Sequence, residues 1–143
     1  MKVIRHIGVV VSNLERMIKF YKLLGFKEYN KTEVYGKIID KMINKNNLNI
    51  NIVKLKSGDS MIELLKYKDV KNSVEKKELF EQGIFHIAIT VDDIEETFEL
   101  LTLNGAKFLS VPLLSEDKKV KVCFCQDVED NFLEIVEELF ENK

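Results

Sequence analysis

"HIGVVVSNLERMIKFYKLLG" at residues 6–25 and "HIAITVDDIEETFELLTLNG" at residues 86–105 decide the fold, because the two stretches match position by position without a gap. Corresponding residues are 80 positions apart throughout, and each copy begins with one of the only two histidines in the chain. A match of this length indicates an internal repeat, so the chain contains two copies of one supersecondary unit.

Each copy predicts a strand followed by a helix. Its first residues form an apolar run that is typical of a strand. The polar pairs that follow, Ser12-Asn13 and Asp92-Asp93, are typical helix N-caps, with acidic residues in the first turn. Gly25 and Gly105 fit the left-handed residue that commonly ends a helix.

The remainder of each half predicts three strands, at residues 26–34, 48–56 and 60–67 in the first half and at residues 106–111, 120–127 and 131–139 in the second. The sequence therefore predicts an α+β fold, in which two tandem βαβββ modules form a curved mixed sheet around a metal-containing cavity. We expect one domain over residues 1–143, with module one at 1–67, a helical linker at 68–83 and module two at 84–143. Residues 35–47 have no counterpart in the second half and predict either a flap or a short helix.

Composition excludes several classes of protein. The chain has 143 residues, 22 basic and 24 acidic, and the interspersed charges leave no basic patch for a nucleic acid. No stretch approaches the roughly 20 apolar residues that span a bilayer, and the N-terminus lacks the features of a signal peptide. We therefore expect a soluble, cytoplasmic protein. Cys123 and Cys125 are one residue apart in a strand-like run, which favours buried free thiols over a disulfide.

Four residues are predicted to lie on the strand faces that point away from the helices. Side chains alternate across a strand, and the aliphatic residues Ile7, Val9 and Val11 should pack against the helix. His6 then lies on the opposite face of its strand. The same alternation puts Glu63, His86 and Glu134 on the face away from the helix, so each half contributes one His and one Glu.

These four side chains converge if the two sheets face each other. A lone strand His is usually a core or edge residue, and a Glu near a strand end is usually solvated. Two glutamates that face each other would repel unless a cation lay between them. Two imidazoles and two carboxylates suit one divalent first-row ion such as Mn, Fe, Co, Ni or Zn.

The stretches "HIGVVVSNLERMIKFYKLLGF", "MIELL", "FHIAITVDDIEETFELL" and "DNFLEIVE" resemble the vicinal oxygen chelate superfamily, which includes glyoxalases, bleomycin resistance proteins and dioxygenases. The resemblance covers essentially the whole chain and is closest to glyoxalase I and methylmalonyl-CoA epimerase-like members. It implies metal ligands at His6, Glu63, His86 and Glu134. The usual "D-P-x-G-N" turn before the last strand is "DVEDN" here, so we expect a differently shaped turn.

The resemblance implies a metal-dependent lyase or epimerase that moves a proton next to a carbonyl of a small α-hydroxy or α-oxo compound or thioester, through an enediolate. Glu63 and Glu134 are the candidate acid and base, and His6 and His86 would serve as ligands only. A fourth protein ligand argues against oxygen activation. A thiol transferase of the antibiotic-resistance type and a non-catalytic small-molecule-binding protein remain alternatives.

The exposed edges of such sheets favour a homodimer. The metal site could then form within one chain or be shared between two chains. No partner other than a small-molecule substrate is expected, neither a nucleic acid nor a membrane.

Overall fold

The computed structural model describes residues 2–71, 75, 78–84 and 86–140. The chain divides into two units, Met1–Val74 and Glu75–Lys143. The division falls between the two copies of the repeat, so each unit contains one copy.

The first unit contains one four-stranded sheet. In chain order its elements are β1 (Ile7–Val10), α1 (Leu14–Leu23), β2 (Lys27–Tyr35), α2 (Lys37–Ile43), β3 (Asn49–Ser57) and β4 (Ser60–Tyr67). The strands lie in the order β1-β4-β3-β2, and β1 runs parallel to β4 while the other neighbours are antiparallel. The first and last strands of the unit are therefore neighbours in the sheet.

The second unit repeats this arrangement. Its elements are β5 (His86–Thr90), α3 (Ile94–Leu103), β6 (Lys107–Phe108), β7 (Leu113–Leu114), β8 (Val120–Gln126) and β9 (Phe132–Glu138). The strands lie in the order β5-β9-β8-β6, with β7 also paired to β8, and β5 runs parallel to β9. The predicted α+β fold, with two βαβββ modules, is confirmed.

The helix ends follow the sequence signals. The side chains of Asn13 and Asp93 each accept a hydrogen bond from the backbone N–H three residues later, at 3.0 and 2.9 Å. Gly25 and Gly105 follow the helices with φ of 84° and 94°, a backbone conformation that favours glycine. None of the described helices is long and apolar enough to cross a membrane.

The helices cover one face of each sheet, as the alternation predicts. In the first unit α1 packs on β3 and β4, where Val53, Leu55, Ile62 and Leu64 are buried. In the second unit α3 packs on β9, where Leu133 and Ile135 are buried. The odd-numbered residues of β1 and the next residue, Val11, share this helix face. Val9 and Val11 are buried, whereas Ile7 is 36% exposed and Val10, on the opposite face, is 53% exposed.

The predicted helical linker at 68–83 is wrong for its described residues. Residues 68–71, 75 and 78–83 form turns, bends and irregular backbone instead of a helix, and residues 72–74 and 76–77 lie outside the described residues. The sequence here is rich in Lys and Glu, which have good helix propensity, but a short isolated helix without an apolar face to bury gains little stability. Residues 35–47, for which the sequence predicts either a flap or a short helix, contain the short helix α2.

The strand predicted at 106–111 is also shorter than expected. Only Lys107–Phe108 pair with β8 there, and a second short strand, Leu113–Leu114, pairs farther along β8. Pro112 lies just before β7 and has no N–H for a ladder hydrogen bond, and a proline also restricts the residue before it. The edge of this sheet is therefore interrupted.

The "DVEDN" turn at 127–131 is organised by a buried carboxylate. Asp127 is fully buried, and its side chain accepts hydrogen bonds from the backbone N–H groups of Glu129 and Asn131 and from the Asn131 amide. Asp130 takes the left-handed conformation with φ of 65°, at the position where the superfamily turn has glycine. Aspartate tolerates this conformation better than most residues.

The two cysteines are free and buried, as predicted. Both belong to the helix face of β8, where they lie opposite the buried residues Ile135 and Leu133 of β9. Burial, together with the negative charge of Glu95, raises the pKa of Cys123 to about 11. Burial, followed by the effects of Cys123 and Asp127, raises the pKa of Cys125 to about 12.

Because both thiols remain protonated near neutral pH, we expect the folded protein to react slowly with iodoacetamide at pH 8 and rapidly once unfolded in urea. A thiol with a raised pKa stabilises the fold fully below its unfolded pKa, and this contribution is lost as the pH rises through about 11 and 12. Urea unfolding at increasing pH measures the loss. The Cys123→Ala/Cys125→Ala variant should lose less stability above pH 9, and an equal loss would contradict the assignment.

Removing the Asp127 carboxylate should destabilise the second unit, because buried N–H donors would be left without an acceptor. We expect Asp127→Ala to lower the free energy of unfolding by about 3 kcal/mol. Asp117 is the matched control, since its carboxylate also accepts hydrogen bonds from a turn, from Ser115 and Lys119, but is exposed. Asp117→Ala should cost clearly less in the same urea titration; equal losses would mean that burial is not decisive.

Candidate functional site

His6 and Glu63 form a pair at the junction of β1 and β4. Gly8 lies opposite Glu63 in the parallel register, and His6 precedes Gly8 by two residues, so His6 and Glu63 share one face and lie diagonally across it. The Nε2 atom of His6 is 2.9 Å from Oε2 of Glu63. Gly8 lies between His6 and the strand position of Glu63, and an added Cβ at Gly8 would contact the Leu65 side chain at 3.4 Å.

The second unit contains the equivalent pair at the junction of β5 and β9. Ala88 lies opposite Glu134, and His86 precedes Ala88 by two residues. The Nε2 atom of His86 is 3.2 Å from Oε2 of Glu134. The same strand pairing, with a small residue opposite each glutamate, therefore produces a similar His–Glu geometry twice.

The two pairs differ in burial. The Glu63 side chain is 10% exposed, whereas that of Glu134 is 26% exposed. Burying a carboxylate is costly unless it has a polar partner, and an imidazole nitrogen lies within 3.2 Å of the carboxylate in each case. In the first pair, His6 Nδ1 is also buried and has no hydrogen-bond partner among the described residues.

The residues opposite the two glutamates on the adjacent antiparallel strands differ as well. Lys54 of β3 lies opposite Glu63, whereas Phe124 of β8 lies opposite Glu134. The Phe124 ring meets the His86 imidazole edge to face, with 5.4 Å between the ring centroids. Sequence reasoning missed both residues, because their proximity to the glutamates depends on the antiparallel register. The short turns that join β3 to β4 and β8 to β9 were the one sequence signal that could have indicated this register.

The four predicted site residues are thus brought together as two pairs, one in each unit. Among the residues that the structure describes, no group of three or more His, Cys, Asp or Glu side chains is gathered so that it could hold a metal ion. Each pair supplies one imidazole nitrogen and one carboxylate oxygen.

The spacing within each pair fits a divalent metal. First-row ions bind imidazole nitrogen and carboxylate oxygen at about 2.0–2.2 Å, so two neighbouring ligands at right angles lie about 3 Å apart. The observed separations of 2.9 and 3.2 Å match this value, as they match a hydrogen bond. Nitrogen and oxygen donors together also suit these ions. The residues present can therefore serve as metal ligands.

Several solved structures share this fold. A glyoxalase family protein from Bacillus cereus superposes with a TM-score of 0.89 at 23% identity, covering 98% of this chain and 97% of that chain. A glyoxalase family protein from Enterococcus faecalis gives 0.68 at 23% identity, covering 95% and 98% of the two chains. The fosfomycin resistance protein FosX from Mesorhizobium loti gives 0.61 at 16% identity, covering 94% and 90%.

No curated protein sequence matches the chain. A family model does match it over residues 5–131, which span both His–Glu pairs except for Glu134. This match covers most of the sequence and agrees with the two βαβββ units. The chain belongs to the Glyoxalase/Bleomycin resistance protein/Dioxygenase superfamily.

Proposed function

We propose that this protein is a metal-dependent proton-transfer enzyme, a glyoxalase-like lyase or an epimerase, that acts on a small α-hydroxy or α-oxo carbonyl compound or thioester. The observation that supports the proposal is the repeated His–Glu pair, which has the same strand register and nearly the same N···O separation in both units. The superfamily to which the chain belongs includes enzymes that use divalent metals.

In this proposal His6, Glu63, His86 and Glu134 together hold one divalent first-row ion, such as Ni, Co, Zn, Mn or Fe. When bound, the ion would act as a Lewis acid and stabilise negative charge that develops on substrate oxygen. The two histidines have the simpler role, because a neutral imidazole nitrogen binds a metal without carrying charge to the reaction.

The carboxylates of Glu63 and Glu134 are the proposed acid and base. One carboxylate oxygen takes the proton from the carbon next to the carbonyl, and the electron pair of that C–H bond shifts onto the carbonyl oxygen. A carboxyl O–H then returns a proton to the neighbouring carbon in a lyase-type reaction, or to the opposite face of the same carbon in an epimerisation. The reaction is therefore balanced without any redox partner.

The environments of the two carboxylates suit different tasks. Glu63 is the more buried carboxylate, and Lys54 lies opposite it in the strand register. Glu134 is more exposed and lies opposite Phe124. We propose that Glu63 removes the proton in the preferred direction of the reaction.

The metal assignment is tested by elemental analysis of protein purified without chelator. We expect about one divalent ion per chain, because the two pairs share one ion in this proposal, and we expect His86→Ala to weaken binding roughly 100-fold or more. Metal at 100 times its dissociation constant should stabilise the fold by about 2.7 kcal/mol. Glu28→Gln is the matched control, since Glu28 forms an exposed ion pair with Lys22.

Two outcomes would contradict the shared site. Stoichiometric metal in the His6→Ala/His86→Ala double variant would exclude the histidine ligands, and two ions per chain would mean that each pair binds separately. We also propose a homodimer. Mixing His6→Ala chains with Glu134→Ala chains then reports where the site forms, because metal binding recovered by subunit exchange requires ligands from two chains.

The acid–base roles are tested by Glu63→Gln and Glu134→Gln. Glutamine keeps one oxygen ligand but does not accept a proton at useful pH, so each variant should retain metal and lose about 10²–10⁴-fold in rate. Exchange of substrate hydrogen in deuterated water measures the proton-abstraction step separately. In an epimerase each variant should still exchange one stereoisomer, whereas a lyase needs only one of the carboxylates. Wild-type rates in both metal-loaded variants would overturn the roles.

A further inference from the structure

Lys54 lies beside the more buried of the two site carboxylates. Its Cα is paired with that of Glu63 across the antiparallel strands β3 and β4. Side chains at directly opposite positions share a face, with Cβ atoms about 4.5–5.5 Å apart. The ammonium group of Lys54 is therefore attached to the same face of the sheet as the His6–Glu63 pair.

This ammonium group has no partner among the residues that the structure describes. Lys22, Lys68, Lys107 and Lys121 each form an ion pair, but Lys54 forms neither an ion pair nor a hydrogen bond with any residue that the structure describes. The Oε2 atom of Glu63 is instead in contact with His6. Lys54 is half-buried, so part of its solvation is lost, and no carboxylate of the described residues contacts its ammonium group to replace that solvation.

The surrounding face carries an excess of positive charge. The register places Lys27 and Lys56 directly opposite each other on the face that carries Lys54. Like charges at opposite positions destabilise a sheet. Glu63 is the one carboxylate on this face among the described strand residues of the first unit.

The stability of the sheet does not explain why a lysine occupies position 54. Lysine on an edge strand protects it against pairing with other chains, and this accounts for Lys27 on β2. Lys54 belongs to β3, which has a neighbouring strand on each side. The fold does not need a cation here either, because the equivalent position opposite Glu134 is Phe124.

We infer that Lys54 binds an oxyanion of the substrate, a carboxylate or a phosphoryl group, while the His6–Glu63 pair acts at the carbon next to the carbonyl. This inference rests on the proposed function and narrows its substrate class to α-hydroxy or α-oxo carbonyl compounds that carry an anionic group. Lys54 is a binding and specificity residue in this scheme and takes no part in proton transfer.

Three compounds that share the HO–CH2–CO– group test this inference. Hydroxyacetone is neutral, hydroxypyruvate adds a carboxylate and dihydroxyacetone phosphate adds a phosphoryl group. We expect zinc-loaded wild-type protein to bind at least one of the two anionic compounds roughly 10-fold more tightly than hydroxyacetone, because a charge-assisted hydrogen bond favours the charged ligand. Isothermal titration calorimetry measures the three affinities, and the tighter anion identifies the group that Lys54 accepts.

Lys54→Met and Lys54→Gln should remove the preference for the anion and leave metal content unchanged, while Lys54→Arg should retain most of it. Lys56→Met is the matched control, because Lys56 lies on the same strand and face but two residues from Lys54, with its ammonium over the Tyr29 ring. An anion preference that persists in folded Lys54→Met or Lys54→Gln protein overturns the inference. Absence of the preference in wild-type protein, or failure of both anions to bind, overturns it as well.

The same titrations separate this inference from the proposed function. If the protein binds metal and shows no anion preference, the role of Lys54 is wrong and the metal-dependent reaction stands. If the protein binds no metal but a Lys54-dependent anion preference persists, the metal-dependent reaction is wrong and the anion-binding role of Lys54 stands.

Discussion

The parallel pairing of the first and last strands in each unit is the constraint on which the candidate site depends. It places Glu63 beside Gly8 and Glu134 beside Ala88, so a histidine two residues earlier lies diagonally across the same face. Because side chains alternate, the neighbouring residues Ile62 and Leu64 must face the helix and form the core. One register therefore fixes both the hydrophobic packing and the chemistry of the opposite face, and a slip by one residue would exchange them.

Each histidine in turn provides a polar neighbour for its glutamate, which is buried at Glu63 and partly exposed at Glu134. A carboxylate in the middle of a sheet loses much of its hydration, and the imidazole at 2.9 or 3.2 Å replaces part of it. The two units achieve this with different surroundings: Glu63 has a lysine opposite it, whereas Glu134 has an aromatic ring. Internal repetition thus preserves the pair of candidate ligands in both units, while the residue opposite the glutamate on the adjacent antiparallel strand differs.

Local interactions account for the departures from symmetry. Pro112 lies at the interruption between β6 and β7, which leaves the second unit with a divided edge strand, while the first unit has the continuous strand β2 followed by α2. The turn before β9 replaces glycine by Asp130 and relies on the buried Asp127 carboxylate to accept its backbone hydrogen bonds. These differences lie at the edges and turns, and the order and direction of the paired central strands are the same in both units.

Sequence alone was enough to predict the repeat, the helix N-caps at Asn13 and Asp93, and the strand face on which His6, Glu63, His86 and Glu134 lie, because capping and strand alternation are local properties. The helix that local propensity predicts at 68–83 is absent from the described residues of this segment. The residues that lie opposite the two glutamates, on the adjacent antiparallel strands β3 and β8, became known from the tertiary fold. The positions of Lys54 and Phe124 depend on strand register. Register is set by hydrogen bonds between residues distant in the chain and by packing of the helix face, and the residue spacing within one strand does not reveal it.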